Sequence, residues 1–126
     1  MQPYHGNIEE AAKGNENFRK VLFTGAHSQL VLMSLAAGED IGMEVHNDVD
    51  QFFRVESGEG KAIIAGVEYP LTDGTALVIP AGTEHNIVNT GGGSLKLYTI
   101  YSPANHPAGT VHATKAEAMA AEEHHH

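Results

Sequence analysis

The stretch GEDIGMEVHNDVDQFFRVESG, residues 38–58, and its companion GTALVIPAGTEHNIVN, residues 74–89, decide the fold. In both, short apolar or β-branched runs are bounded by Gly, Pro, Asp and Asn, the punctuation of strands and tight turns. Residues two apart on a strand face the same way, so Glu44 and His46 project together, with Val45 on the other side. Residues 47–50 read as a polar connection, after which Gln51, Phe53 and Val55 share a face. A hairpin between these two runs would set Gln51 across from Glu44 and His46, and a slip of one residue would turn it outward. His85 follows the turn PAGTE on a separate strand. Glu44, His46, Gln51 and His85 are thereby candidate ligands of one metal ion.

The same rhythm extends on both sides. FRKVLFTG and SQLVLMSLAAG precede the first stretch, KAIIAG and VEYPL separate the two, and LKLYTIY follows. Roughly eight to ten short strands at this spacing predict an all-β sandwich or barrel. TDG at 72–74 and PAG at 80–82 are turns in which Gly tolerates positive φ and Pro presets its own. Two short helices flank the strands. Asn7 with Glu10 three residues later marks the start of one. Thr114 and Glu117 stand in the same spacing before an Ala-rich second helix, after the Pro- and Gly-rich connection SPANHPAGTVHA.

The 126 residues fit a single domain, with the barrel at about 19–101 and the tail with its helix at 102–123. His124, His125 and His126 read as the remnant of a purification tag and are excluded as ligands. Without cysteine there is no disulfide, thiol nucleophile or thiolate site. Seven Lys and Arg against sixteen Asp and Glu give a net charge of −9, which repels phosphate backbones and anionic lipid. Neither nucleic acid nor membrane is an expected partner. No apolar run reaches the roughly 18 residues of a membrane span, and MQPYHGNIEE lacks the flank of a signal peptide. A cytoplasmic location is expected.

Two imidazoles, a carboxylate and an amide oxygen form a mixed nitrogen and oxygen set suited to Mn, Fe, Ni, Co or Zn. The two stretches resemble the two sequence motifs of the cupin superfamily. Gly38, Glu44, His46, Gln51 and Gly58 fall at the spacings of its first motif. Gly74, Pro80, Gly82, His85 and Asn89 match the second without a gap. Two positions depart from the family: Glu44 stands where the first His is expected, and Gln51 where the Glu is. Together the exchanges preserve the ligand charge, because three His and one Glu become two His, one Glu and one Gln. The resemblance implies a single-domain, jelly-roll-like cupin β-barrel of two antiparallel sheets, a divalent metal and a homodimer.

For function, the resemblance implies a metal-dependent enzyme acting on a small oxygenated, sugar-like molecule in the manner of an isomerase. Glu44 is the candidate catalytic carboxylate, with Tyr98, Tyr101 and Arg54 as candidates to orient substrate. Arg54 has the opposite strand parity to Gln51. A non-haem Fe(II) dioxygenase is the alternative, since Glu44, His46 and His85 make a two-His, one-carboxylate set. A non-catalytic binding module and an empty barrel are the further alternatives. Asp48 and Asp50 read as solvated turn residues, His106 and His112 as loop residues, and Asn89 as a partner for backbone groups.

Overall fold

The computed structural model describes residues 1–123, so His124, His125 and His126 lie outside the described residues. Two antiparallel sheets face each other, flanked by two short helices. The larger sheet comprises β1 (Arg19–Thr24), β2 (Gln29–Leu35), β3 (Asp50–Ser57), β6 (Ala76–Ile79), β8 (Leu95–Ser102) and β9 (Val111–His112), in the order β6-β3-β8-β2-β1-β9. The smaller has the order β5-β4-β7, from β4 (Gly60–Ile64), β5 (Val67–Leu71) and β7 (His85–Asn89). Isolated bridges Asp40↔Val88 and Glu44↔His85 lay residues 40–44 along the free side of β7.

From β3 onward the chain crosses between the sheets at Gly58, at 72–75, at 80–84 and at 90–94. The Gly58 crossing has no room for a side chain. Its φ is +103°, and a Cβ there would stand 2.6 Å from the Ser94 carbonyl oxygen of the crossing beside it. Strand alternation then fills the space between the sheets. Val31, Met33, Phe53, Val55 and Leu97 point inward from the larger sheet, and Ala62, Leu71 and Ile87 from the smaller.

Helix α1 (Ile8–Gly14) begins as expected, with the Asn7 Oδ1 accepting from the Glu10 N–H at 3.0 Å. Helix α2 (Lys115–Glu123) begins where Thr114 Oγ1 accepts from the Glu117 N–H at 3.1 Å. None of the described helices is long and apolar enough to cross a membrane. The tail is more than a linker, because β9 pairs Val111 and His112 with Lys20 and Arg19 at the edge of the larger sheet. Two residues are too few to show a strand period in sequence.

Candidate metal centre

The pairing of Glu44 differs from the expected hairpin. Glu44 and His85 exchange both backbone hydrogen bonds, at 2.8 and 2.9 Å, so they sit directly opposite with side chains on one face. Gln51 instead belongs to β3 in the other sheet, paired with Ile79 and Tyr101. Residues 47–49 carry the chain from one sheet to the other, where the hairpin reading kept it in one. The candidates therefore lie on two sheets, not on one ribbon.

Two residues past Glu44, His46 returns to the same face, and its carbonyl accepts from the Gly82 N–H at 2.8 Å. The Glu44 Oε2 and His46 Nε2 stand 3.4 Å apart. Ligand atoms of Glu44, His46 and His85 all lie within 4.8 Å of one another. The two imidazole centroids are 5.5 Å apart, and the Tyr101 ring meets His46 edge-on at 5.9 Å.

Side-chain bonds hold this irregular segment in place. Asn86 accepts from the Gly42 N–H at 2.9 Å and donates to Asp40 Oδ2 at 2.9 Å. Lys115 of α2 closes the chain on Asp40 Oδ1 at 2.6 Å and, with Asn86, holds the Asp40 carboxyl below its usual range. Asp50 is exposed yet accepts from the Ala81 N–H at 2.9 Å, so it anchors the 80–82 turn and is not a merely solvated residue.

The donor set fits a cation. His85 Nδ1 faces the Thr83 carbonyl at 2.9 Å. A carbonyl can only accept, so Nδ1 carries the proton and Nε2 presents a bare lone pair. Gln51 Nε2 donates to Thr99 Oγ1 at 3.0 Å, which leaves its Oε1 as the free end. His46 Nε2, His85 Nε2 and Gln51 Oε1 are all buried without a hydrogen-bond partner. Each such atom costs about 1–3 kcal/mol in a folded interior unless something satisfies it. Three such atoms on three of the four sequence-derived candidates are what a bound metal ion would satisfy.

The electrostatics agree. Burial pushes the Glu44 carboxyl up to about 7. Burial, followed by His85 and Arg19, pulls His46 below its ordinary value. Without a cation, the pocket disfavours both charges. A divalent ion would reverse the Glu44 preference and keep the imidazoles neutral.

Tyr98 lies elsewhere. Its ring packs on Phe52 at 6.1 Å, on the face of β8 opposite Thr99 and Tyr101. The tyrosine beside the centre is Tyr101, whose phenol is raised by burial and then by Glu44, so it stays protonated. Arg54 also points away, paired with Glu56 at 3.0 Å, as its parity requires. His106 is not a free loop residue: its Nε2 is 3.2 Å from the Tyr101 hydroxyl, and burial takes it down to about 3. Gln29 fixes the segment carrying it. Its Nε2 donates to Thr24 Oγ1 and the His106 carbonyl at 2.9 and 2.7 Å, and its Oε1 accepts from the Asn105 and His106 N–H groups at 3.1 and 3.0 Å. Asn89 behaves as expected, bonding the Leu35 and Gly93 carbonyls and the Gly91 N–H.

Arg19 escaped the sequence reading. The available signal was a cation in phase with Val21, on the face of the strand opposite Lys20.

Residues 31–101 match the Cupin domain family. The chain is 52% identical to YrkC of Bacillus subtilis over 97% of its own length and 69% of that protein. It is 46% identical to L612 of Acanthamoeba polyphaga mimivirus, over 87% of this chain and 71% of that one. The crystal structure of BH2720 from Bacillus halodurans superposes with a TM-score of 0.93 at 50% identity, covering 94% of this chain and 95% of that one.

Proposed function

Because the chain belongs to the Cupin domain family, we propose that it is a metal-dependent enzyme acting on a small oxygenated molecule held between the sheets. Glu44, His46, His85 and Gln51 are the ligands in this reading. The observation that carries it is the trio of buried polar atoms without a hydrogen-bond partner, His46 Nε2, His85 Nε2 and Gln51 Oε1. A divalent transition ion supplies a Lewis acid that polarises a carbonyl or hydroxyl oxygen. Glu44 provides the one negative charge of the group. As the only carboxylate of that group among the described residues, it is the candidate to carry the proton that an isomerase-like reaction moves between adjacent carbons. That role is open to it when released from the ion and not while it is bound there. The Tyr101 hydroxyl, kept protonated, serves as a hydrogen-bond donor to the substrate, with His106 steadying its position.

A second reading, Fe(II)-dependent dioxygenation, is favoured by the side-chain set itself. Glu44, His46 and His85 are two imidazoles and one carboxylate grouped together, a ligand type used by non-haem iron.

Elemental analysis of tag-free protein equilibrated with Mn, Fe, Co, Ni or Zn tests the site. About one ion per chain is expected for the wild type. His85→Ala should lower affinity by about tenfold or more while leaving the far-UV spectrum intact. Metal well below one ion per chain with every element, or unchanged uptake by His85→Ala, would refute the site. Metal exchange then separates the chemistries over a panel of small hydroxy-carbonyl compounds. Deuterium exchange at carbon that survives in Mn, Co and Zn forms marks the isomerase-like reading, and oxygen consumption confined to the iron form marks the other. Stoichiometric metal with neither activity marks a binding module.

A further inference from the structure

Around the metal group the inward side chains are sorted by polarity. Two rows of paired residues face each other at that level. The larger sheet gives Gln29, Tyr101, Gln51 and Ile79, from β2, β8, β3 and β6. The smaller gives Glu44, His85, Ile64 and Val67, from the bridged segment, β7, β4 and β5. The rings of His46 and Tyr101 are 5.9 Å apart and those of His85 and Phe53 6.4 Å, so the rows meet across the interior near their middles. They run in the same sense, because residues 72–75 join β5, the edge of one sheet, directly to β6, the edge of the other. Gln29 and Glu44 thus mark one end, and Ile79 and Val67 the other.

The two ends offer different chemistry. The first carries an amide, a carboxylate and the Tyr101 hydroxyl, with His106 Nε2 at 3.2 Å from that hydroxyl. Beyond Gln51 and His85 the rows hold only Ile79, Ile64 and Val67. Leu71 and Val67 share a face of β5, and Leu71 is in the core, so Val67 is on the inward face. It is nevertheless 52% exposed, with Ile64 partly buried beside it. The outward face of the same hairpin meets water through an ion pair, Lys61 to Glu68 at 3.1 Å. Ile64 and Val67 therefore form an apolar shelf that starts one strand from His85 and opens to solvent.

We propose that this shelf takes the hydrocarbon part of the substrate, a small hydroxy-carbonyl compound with an alkyl chain and not a polyhydroxylated sugar. This deepens the metal-site reading and rests on it. With its oxygens at Glu44, His46 and His85, a molecule lying along the row passes Ile64 and reaches Val67. Neighbouring strands are about 5 Å apart, so His85 to Val67 spans about 10 Å, the length of a chain of a few carbons. Each methylene laid there leaves water for an apolar surface. Each hydroxyl laid there gives up water to side chains that offer it no hydrogen bond.

The test titrates Mn(II)-loaded protein with hydroxyacetone and with 1-hydroxyhexan-2-one, which lengthens the alkyl end by three methylenes. Binding is read by calorimetry, with metal content measured on the same samples. The wild type should bind the longer ketone about tenfold or more tightly. Val67→Ser should lower that preference by about threefold or more at unchanged metal content. Val78→Ser should keep it, since Val78 is exposed on the outward face of β6, opposite Phe52. A wild type that binds neither ketone, or both alike, would overturn the proposal. So would a Val67→Ser protein with the full preference, or a Val78→Ser protein that loses it. Should Val67→Ser not fold, Val67→Thr decides: a weakened preference supports the shelf, and an unchanged one overturns it. Should the wild type take up no manganese, the metal reading fails separately. The metal-free protein then decides the role of the shelf by the same comparison.

Discussion

The two regions that bring the candidate ligands together are built differently. Gln51 rides on β3, inside a ladder whose inward face is the core. Glu44 and His46 ride on a segment that makes only isolated bridges and is held by Asn86, Asp40, Lys115 and the Gly82 N–H. In the first region the residues that position the site also hold the fold. In the second a few polar contacts position two ligands at little expense to the core. Fold and site are therefore separable on one side of the molecule and inseparable on the other.

The largest effect should come from the ladder. Leu97→Ala empties a fully buried place between the sheets and should lower unfolding free energy by about 3 kcal/mol. Denaturant unfolding followed alongside metal release should show both failing together. Metal release well ahead of unfolding would break the comparison on this side.

Next in size is the pH response of the metal-free protein. The folded value for Glu44, about 7, lies above its ordinary 4.5, so the fold favours the protonated form. That contribution is fully present below about pH 4.5 and is lost as pH rises toward 7, at most about 3 kcal/mol. His46, lowered by burial, acts in the opposite sense by losing stability as pH falls below its ordinary 6.5. The difference between wild type and Glu44→Gln isolates the carboxyl, and bound metal should reverse its slope. A Glu44→Gln protein with the wild-type profile would mean that the carboxyl is solvated.

The smallest effect on the fold should come from the latch. Asn86→Ala removes two hydrogen bonds and should destabilise by about 1–2 kcal/mol. Metal affinity should fall by more than that change in stability accounts for, because the segment carrying Glu44 loses its anchor to β7. Equal losses in both would show that the latch belongs to the fold and not to the site.

Much of this was legible in the chain because strand parity and turn chemistry are local. Two-residue spacing placed Glu44 with His46, separated Gln51 from Arg54, and let Pro80 and Gly82 mark the turn before His85. The partner of Glu44 was not legible. Its pairing with His85 instead of Gln51 depends on a crossing between sheets that residues 47–49 permit without specifying. The choice between Tyr98 and Tyr101 was decidable: Leu95 and Leu97 share a face with Tyr101, whereas Tyr98 alternates with them. His106 and Arg19 were hidden for different reasons. One lies in an irregular loop with no period, and the other is a charge whose inward direction shows only once β2 and β9 flank it.

The Gln29 clamp has a kinetic consequence. With both ends of its amide satisfied, the backbone at 105–106 gains nothing by swinging away from Tyr101. Under the proposed function, a small molecule arriving beside that phenol would meet a wall of fixed outline and not a flap, so its size would be selected at entry instead of through closure around the guest.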